Sequence, residues 1–260
     1  MVPMNYSDEH VALCALNKIF GYHPALALKL IDNAGSAVAL FSESLASGRP
    51  PVAAGGDGAA VMPGSDRASN HPELMSQLEP SALEWARKEL ASIDARGFRF
   101  LTLLDEDYPE ALRESPAPPL GLYLNGSSSP TEIFGMRPMI GFVGTRDISP
   151  YGRLWCQKLV QALADAPVQP CIVSGLALGA DGIAHRTALD CGLPTIGVMA
   201  TGIESIYPVK HYSLAADMVN RPGCGLVTDY PTGTSPVALN FLRRNRIIAG
   251  LVSAVVGVES

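Results

Sequence analysis

The sequence predicts an α/β protein with a mostly parallel sheet, helices on both faces of that sheet, and a small all-helical domain in front of it. From residue 98 onward, short apolar runs of strand length alternate with helical patterns. Such alternation is typical of right-handed crossovers between parallel strands. A composition of 47% hydrophobic and 17% charged residues, with 25 Gly and 21 Pro, suits a fold of this class with many turns.

The first 46 residues predict three short packed helices. Ser7 or Asp8 can cap the first, in which apolar side chains recur at helical spacing as far as Phe20. The second and third are expected at about 25–31 and 36–45. Residues 47–70 are rich in Gly, Pro, Ala and Ser and predict a flexible linker or surface loop. Residues 71–260 would then form the α/β domain.

The elements of that domain follow from local signals. Ser81 and Glu84 have the spacing of a capping box and predict a helix that ends at Gly97. Ser149-Pro150 is a good start for a further helix, whose residues 155, 159 and 163 are expected to face the sheet. Strands are predicted at 98–104, 120–124, 139–144, 171–174, 195–200, 225–229 and 253–258, and later helices at 182–191, 210–219 and 243–251.

The central feature is the apolar run at 139–144, which predicts a buried strand that delivers Gly144, Thr145 and Arg146 to the mouth of a helix. Ligands of open α/β sheets bind at this edge, where helix N-termini attract phosphate. Arg146 would add a planar cationic fork suited to phosphate oxygens. Because the stretches 171–182 and 195–202 also end in small residues, we expect one anion-binding crevice.

Ser174, Gly175 and Gly179 follow the second of these strands. They offer backbone N–H groups and a hydroxyl, which are the ingredients of an anion-binding nest. The alternative is a tight strand-to-helix turn that merely needs small residues. Ser174 is not a nucleophile elbow, because G-x-S-x-G is absent, and the dinucleotide fingerprint is also missing.

The densest cationic cluster is Arg243, Arg244, Asn245 and Arg246, with no acidic residue between 240 and 250. Arg243 and Arg246 would share a helical face, and Arg244 is expected to point elsewhere. Three cations near a helix start oppose the helix dipole and indicate a bound anion. The alternative is a solvated helix start.

Two residues around a turn are further candidates. Lys210 follows the Tyr207-Pro208 turn and is a candidate phosphate contact. Tyr207 is equally compatible with stacking on a base and with packing of the turn.

Several other functions are disfavoured. Asp181 and His185 stand four residues apart, but a carboxylate at a helix N-terminus and a structural histidine are favoured over an acid–base pair. The five cysteines form no C-x-x-C pair and are expected to be core thiols, so we expect no metal site and no cofactor. A net charge of −6 means that any nucleic-acid binding needs a local basic patch. No membrane span or signal region is evident, which favours a cytoplasmic protein.

The motifs at 139–146, 171–182, 184–185, 195–202, 207–208 and 241–250, in this order and spacing, resemble the bacterial DNA processing protein A family (DprA, also called Smf). Segments 108–112 and 122–126 extend the resemblance to nearly the whole chain. Leu242 stands where family members usually have proline, and His211 is also a departure. Members usually continue past the final strand, so the domain is expected to be either truncated at its C-terminal end or a minimal form.

The resemblance implies an extended Rossmann-like fold and a single-stranded DNA-binding homodimer without catalytic activity. Such a protein protects incoming DNA during natural transformation and helps to load the RecA recombinase. The alternative is an enzyme that binds or cleaves a nucleotide in the same crevice, and a third is a scaffold that acts only through partner contacts. The residues expected to contact DNA phosphates are Gly144, Thr145, Arg146, Ser174, Gly175, Gly179, Lys210, Arg243, Asn245 and Arg246.

Overall fold

The computed structural model describes residues 6–47, 71–135 and 137–259. Of the predicted linker, only Ser47 belongs to these ranges, where it is the last residue of a helix; residues 48–70 lie outside them. Among the described residues, a group of helices at the N-terminal end precedes a seven-stranded α/β sheet, as predicted.

The three N-terminal helices are α1 (Asp8–Phe20), α2 (Pro24–Ala34) and α3 (Ala37–Ser47). Ser7 caps α1, as expected, by accepting a hydrogen bond from the His10 N–H at 3.4 Å. The buried side of α1 belongs to an apolar core that also includes Phe100 and Tyr123 of the sheet. The helices are therefore packed on the sheet and share its core. No single helix of the described chain is long and apolar enough to cross a membrane; only a pair bent by 80°, formed by 24–34 and 37–44, meets the length and composition criteria jointly.

One short-range prediction about a helix start needs correction. After α4 (Pro72–Met75), helix α5 (Pro80–Ala95) begins at its proline with Glu79 as the N-cap, so Ser81 lies inside the helix and caps nothing. A capping box forms instead at Ser129. Its hydroxyl accepts from the Glu132 N–H at 3.3 Å, and the Glu132 carboxylate accepts from the Ser129 N–H at 2.9 Å.

The sheet has the order β1-β2-β6-β5-β4-β3-β7. The pairs β1·β2 and β2·β6 are antiparallel and all other pairs are parallel, which confirms the predicted mostly parallel sheet. The strands are β1 (Arg99–Thr102), β2 (Gly121–Asn125), β3 (Met139–Gly144), β4 (Cys171–Ser174), β5 (Thr195–Val198), β6 (Gly225–Thr228) and β7 (Ala254–Val258).

Helices cover both faces of the sheet. Two adjacent residues of β4, whose side chains point in opposite directions, show this. Ile172 packs into the core beneath α8 and α9, and Val173 packs into the core beneath α11. The helices that follow β1 are α6 (Glu110–Arg113), α7 (Pro130–Phe134), α8 (Pro150–Ala164), α9 (Ala180–Asp190), α10 (Tyr212–Val219) and α11 (Ala238–Leu251), and a 3₁₀ helix (Val209–His211) leads into α10.

The face that α8 turns to the sheet differs in part from the prediction, because Leu163 packs against the core as expected but residues 155 and 159 do not. Trp155 and Leu159 are 43% and 38% exposed, whereas Cys156 and Val160 are fully buried. The smaller side chains, together with Gly152, allow the helix to approach the sheet. Trp155 and Leu159 are consequently left on the outer surface.

Candidate functional site

The loops that follow the parallel strands meet the first turns of α9 and α11, and the surface between these two helix starts is here called the crevice. The loop after β3 lies directly on α9, since the Ala180 N–H donates to the Thr145 carbonyl at 3.1 Å. Gly179 caps α9 with φ of 78°. A Cβ at this position would lie 2.6 Å from the Arg146 carbonyl oxygen, so only glycine lets the two loops approach. Gly144 is equally close to α9: an added Cβ would lie 2.7 Å from that of Ala180.

The side chains beneath the loop after β4 are committed to internal contacts. Ser174 is fully buried, and its hydroxyl donates to the Phe142 carbonyl at 2.6 Å. The hydroxyl contribution expected of Ser174 is therefore not available to a ligand. His185 is also fully buried, with Nε2 donating to the Gly175 carbonyl at 2.5 Å and Nδ1 2.7 Å from the Thr195 hydroxyl. Burial lowers the pKa of His185 to about 4. The prediction of a structural histidine is confirmed, since its ring bonds the loop that follows β4.

Arg244 forms the floor of the crevice, which corrects the prediction that it points elsewhere. It is 5% exposed, donates from Nη1 to the Val198 carbonyl and fills the space beside Gly175. Asp181 faces it and accepts a hydrogen bond from the Ala177 N–H at 3.2 Å. Burial raises the pKa of Asp181, and the charge of Arg244 offsets part of that rise. Burial likewise lowers the pKa of Arg244.

The reason for the error is the start of α11. The helix begins at Ala238, five residues before the predicted start at 243, so the arginines lie in its second and third turns. They consequently do not oppose the dipole of a first turn. Packing of Ile247 and Ile248 on the sheet fixes the rotation of the helix and directs Arg244 inward.

A cluster of exposed Arg146 and Tyr207 with half-buried Phe241, here called the rim cluster, lies at the crevice edge. The guanidinium carbon of Arg146 is 5.1 Å from the centroid of the Phe241 ring, and the Tyr207 ring centroid is 5.7 Å from the same ring. Tyr207 is 46% exposed. A cation and two aromatic rings thus share one accessible surface.

Lys210 is exposed and lies in the 3₁₀ helix that follows Tyr207. The next residue, His211, donates from Nδ1 to the Leu176 carbonyl at 2.9 Å. This bond fixes the segment against the loop after β4. Lys210 is therefore placed at the same edge of the sheet as the rim cluster.

The structure separates Arg243 from Arg246. The guanidinium of Arg243 stacks on Tyr22 with its carbon 3.9 Å from the ring centroid. Arg246 is paired with Asp229 at 2.5 Å and donates to the Ala117 carbonyl at 2.6 Å, so its cation is already engaged within the chain. Asn245 is exposed, and its side-chain oxygen accepts from Arg244 Nε at 3.2 Å.

Two contributors were missed from the sequence, Phe241 and Tyr22. Phe241 had a usable signal, since residues 230–258 include it and the arginines but contain no Asp or Glu within a chain of net charge −6. Tyr22 had no local signal, because its contact with Arg243 joins residues 221 positions apart.

Within 6–47, 71–135 and 137–259 there is no group of three His, Cys, Asp or Glu side chains that could hold a metal ion.

The fold defines a class of protein: an open, mostly parallel α/β sheet with an N-terminal helical module. Residues 99–260 match the family of DNA recombination-mediator protein A, and the chain belongs to that family. This confirms the resemblance found in the motifs.

Individual relatives agree with the assignment. The chain is 42% identical over 163 residues to protein Smf of Synechocystis sp., in a match that covers 62% of this chain and 40% of the relative. It is 37% identical over 155 residues to protein Smf of Escherichia coli, which covers 60% and 40% respectively. The chain thus spans about two fifths of the length of both relatives.

Solved structures extend the comparison. DNA processing protein A from Streptococcus pneumoniae matches with a TM-score of 0.70 at 24% identity, over 98% of this chain and 78% of that one, which shows the shared fold. DNA processing protein A from Helicobacter pylori matches with a TM-score of 0.52 at 28% identity, over 62% of this chain and 68% of that one. That structure is described as showing a unique single-stranded DNA binding mode.

Proposed function

We propose that the chain binds single-stranded DNA along the crevice, with phosphates held by exposed cations and backbone N–H groups and bases stacked on aromatic rings. The observation that carries this proposal is the rim cluster, where Arg146 lies beside the partly exposed rings of Phe241 and Tyr207 at the ends of the parallel strands. Proteins that bind single strands without sequence preference combine aromatic rings, on which bases stack, with nearby cations that contact the phosphates.

Fewer residues are proposed to contact phosphates than the sequence suggested. Arg146 and Lys210 are exposed, Arg243 is partly exposed, and all three lie on segments that border the crevice. The loop of Gly179 at the start of α9 supplies backbone groups, and Asn245 is an exposed amide on α11. Gly144 allows the close approach to α9, and the Thr145 N–H already donates to the Glu259 carbonyl at 3.0 Å. Ser174 and Gly175 lie beneath the crevice and shape it without contacting the strand. Arg246 stabilises the fold through its ion pair with Asp229.

We infer a biological role that the family membership supports. The chain acts as a recombination mediator in the cytoplasm that protects incoming DNA during natural transformation and helps to load RecA on it. A homodimer would present two crevices to one strand. Support for self-association comes from exposed apolar side chains on α8, such as Leu154 at 47%, and from Val255 at 54% on the edge strand β7.

The competing enzyme hypothesis is weaker, because the groups needed for acid–base chemistry are not accessible. Asp181 is 7% exposed and faces Arg244, and His185 is fully buried between Gly175 and Thr195. A general base must reach the proton that it removes. We therefore propose that the crevice holds a strand without turning over nucleotides.

A RecA loading assay tests this role. Single strands coated with a single-strand-binding protein are mixed with RecA and ATP, and filament formation is followed with and without the chain. The proposal predicts that the wild type accelerates RecA loading and that the Arg146→Ala variant accelerates it less. Absence of any acceleration by a chain that binds the strand would contradict the loading role. Steady hydrolysis of a nucleotide that disappears in Asp181→Asn would favour the enzyme.

A further inference from the structure

The turn between α1 and α2 contacts the second turn of α11. The guanidinium carbon of Arg243 lies 3.9 Å from the centroid of the Tyr22 ring, and Arg243 Nη1 donates to the Tyr22 carbonyl at 3.0 Å. The Tyr22 hydroxyl in turn donates to the side-chain oxygen of Asn240 at 2.6 Å. Both the ring and the backbone of one residue in the helical module therefore hold the arginine.

The turn that carries Tyr22 is itself firmly placed. Phe20, the last residue of α1, is fully buried in the core shared with the sheet. Asn17 donates to the carbonyl of Asp229 at 2.7 Å, just after β6. Because both contacts hold the C-terminal end of α1 against the sheet, the position of the Tyr22 ring relative to α11 is set by the fold.

This arrangement affects how Arg243 can meet a phosphate. A free arginine loses much rotamer freedom when it binds, and order imposed beforehand reduces that cost. Stacking on an aromatic face fixes the plane of the guanidinium, and only Nη1 donates to the Tyr22 carbonyl. The remaining N–H groups stay in the same plane and are directed as a unit.

The geometry points to Tyr22 as a positioning residue for Arg243, so that the helical module supplies one wall of the strand-binding crevice. This inference rests on the proposed strand binding. It gives the N-terminal helices a role in recognition although Tyr22 itself carries no charge.

The test is a salt titration of oligo-dT binding by fluorescence anisotropy. We expect Tyr22→Ala to weaken binding about tenfold, as loss of one charge-assisted contact would. We also expect the slope of log K against log salt to become shallower by about 0.7, the value for one phosphate contact to a single strand. Tyr22→Ala removes no charge, yet its affinity and its salt slope should resemble those of Arg243→Ala. Tyr22→Phe keeps the ring and should retain the wild-type slope.

Two further variants separate positioning from general damage. The double variant Tyr22→Ala with Arg243→Ala should bind no more weakly than Arg243→Ala alone, because both changes remove one contact. Trp85→Ala is the matched control: its ring lies 3.9 Å from Lys18 Nζ in a similar pair that does not touch Arg243. It should leave the salt slope unchanged. If Tyr22→Ala folds poorly by thermal melting, Tyr22→Leu fills the turn without an aromatic face and should show the same shallower slope.

The outcomes are distinguishable. An unchanged slope in folded Tyr22→Ala or Tyr22→Leu, additive losses in the double variant, or tighter binding without the tyrosine would each overturn the positioning role while strand binding itself stands. Failure of the wild type to bind oligo-dT would overturn the proposed function and this inference with it.

Discussion

The guanidinium of Arg146 lies 5.1 Å from the centroid of the Phe241 ring, which joins the loop after β3 to the first turn of α11 across the crevice. The contact brings a cation and a stacking surface together from two distant segments of the chain. It also restrains an exposed arginine, so that its fork is oriented before a phosphate arrives.

Replacement of Arg146 should therefore weaken strand binding without unfolding the protein. We expect Arg146→Ala to reduce affinity for single-stranded DNA about tenfold and to make the salt slope shallower by about 0.7. Arg87→Ala is a matched control, because Arg87 is an exposed arginine paired with Asp8 on another surface. Equal losses in the two variants would show that the effect reflects overall charge and not the crevice.

Arg244 should behave in the opposite way. Loss of one hydrogen-bond partner inside the protein leaves a buried polar group unsatisfied, which typically costs about 1–3 kcal/mol and more when a charged group is involved. Arg244→Ala removes the donor to the Val198 carbonyl and the positive charge that faces buried Asp181, and should lower the free energy of unfolding by about 3 kcal/mol in a urea titration. Arg243→Ala, one residue away and partly exposed, should change it by less than about 1 kcal/mol. Similar small losses in both would contradict the assignment of Arg244 to the crevice floor.

Gly179 should tolerate no side chain. Gly179→Ala places a Cβ 2.6 Å from the Arg146 carbonyl oxygen at φ of 78°, so both steric overlap and backbone strain arise. We expect a loss of about 2 kcal/mol or more in unfolding free energy, together with weaker strand binding as the Arg146 loop shifts. Gly192→Ala isolates the strain, because Gly192 has φ of 73° with no atom within 4 Å of the added Cβ. An equal loss at both positions would rule out the contact with Arg146.

His185 should make stability fall in mild acid. Its pKa is lowered to about 4 in the folded protein, so between about pH 6.5 and 4 the unfolded chain binds more protons and folding stability decreases as the pH falls. The contribution between pH 7 and pH 5 is about 2 kcal/mol. Burial raises the pKa of Asp181 and acts in the opposite direction. The comparison is therefore made with His185→Gln, whose unfolding free energy should depend less on pH over this range. An unchanged pH dependence in that variant would contradict a neutral buried histidine.

Much of the site could be predicted from local signals. Strand β4 was placed correctly at 171–174, because a short apolar run ends there in small residues, and the same signal located the crevice at the strand ends. The direction of the arginines could not be predicted, because α11 begins after Val237 without a side-chain cap to mark its start. An error of five residues in the start and the unknown packing of Ile247 together decide which arginine points inward. The contact of Tyr22 with Arg243 depends on the tertiary fold alone.

Competition between single-stranded and duplex DNA in a salt titration tests the central claim most directly. Three exposed or partly exposed cations, Arg146, Lys210 and Arg243, border the crevice. At about −0.7 per phosphate contact they predict a slope of log K against log salt near −2 for single strands. We expect tighter binding of single-stranded than duplex DNA at every salt concentration, with little dependence on sequence. Equal affinity for the duplex, or an affinity for single strands that does not change with salt, would contradict the account.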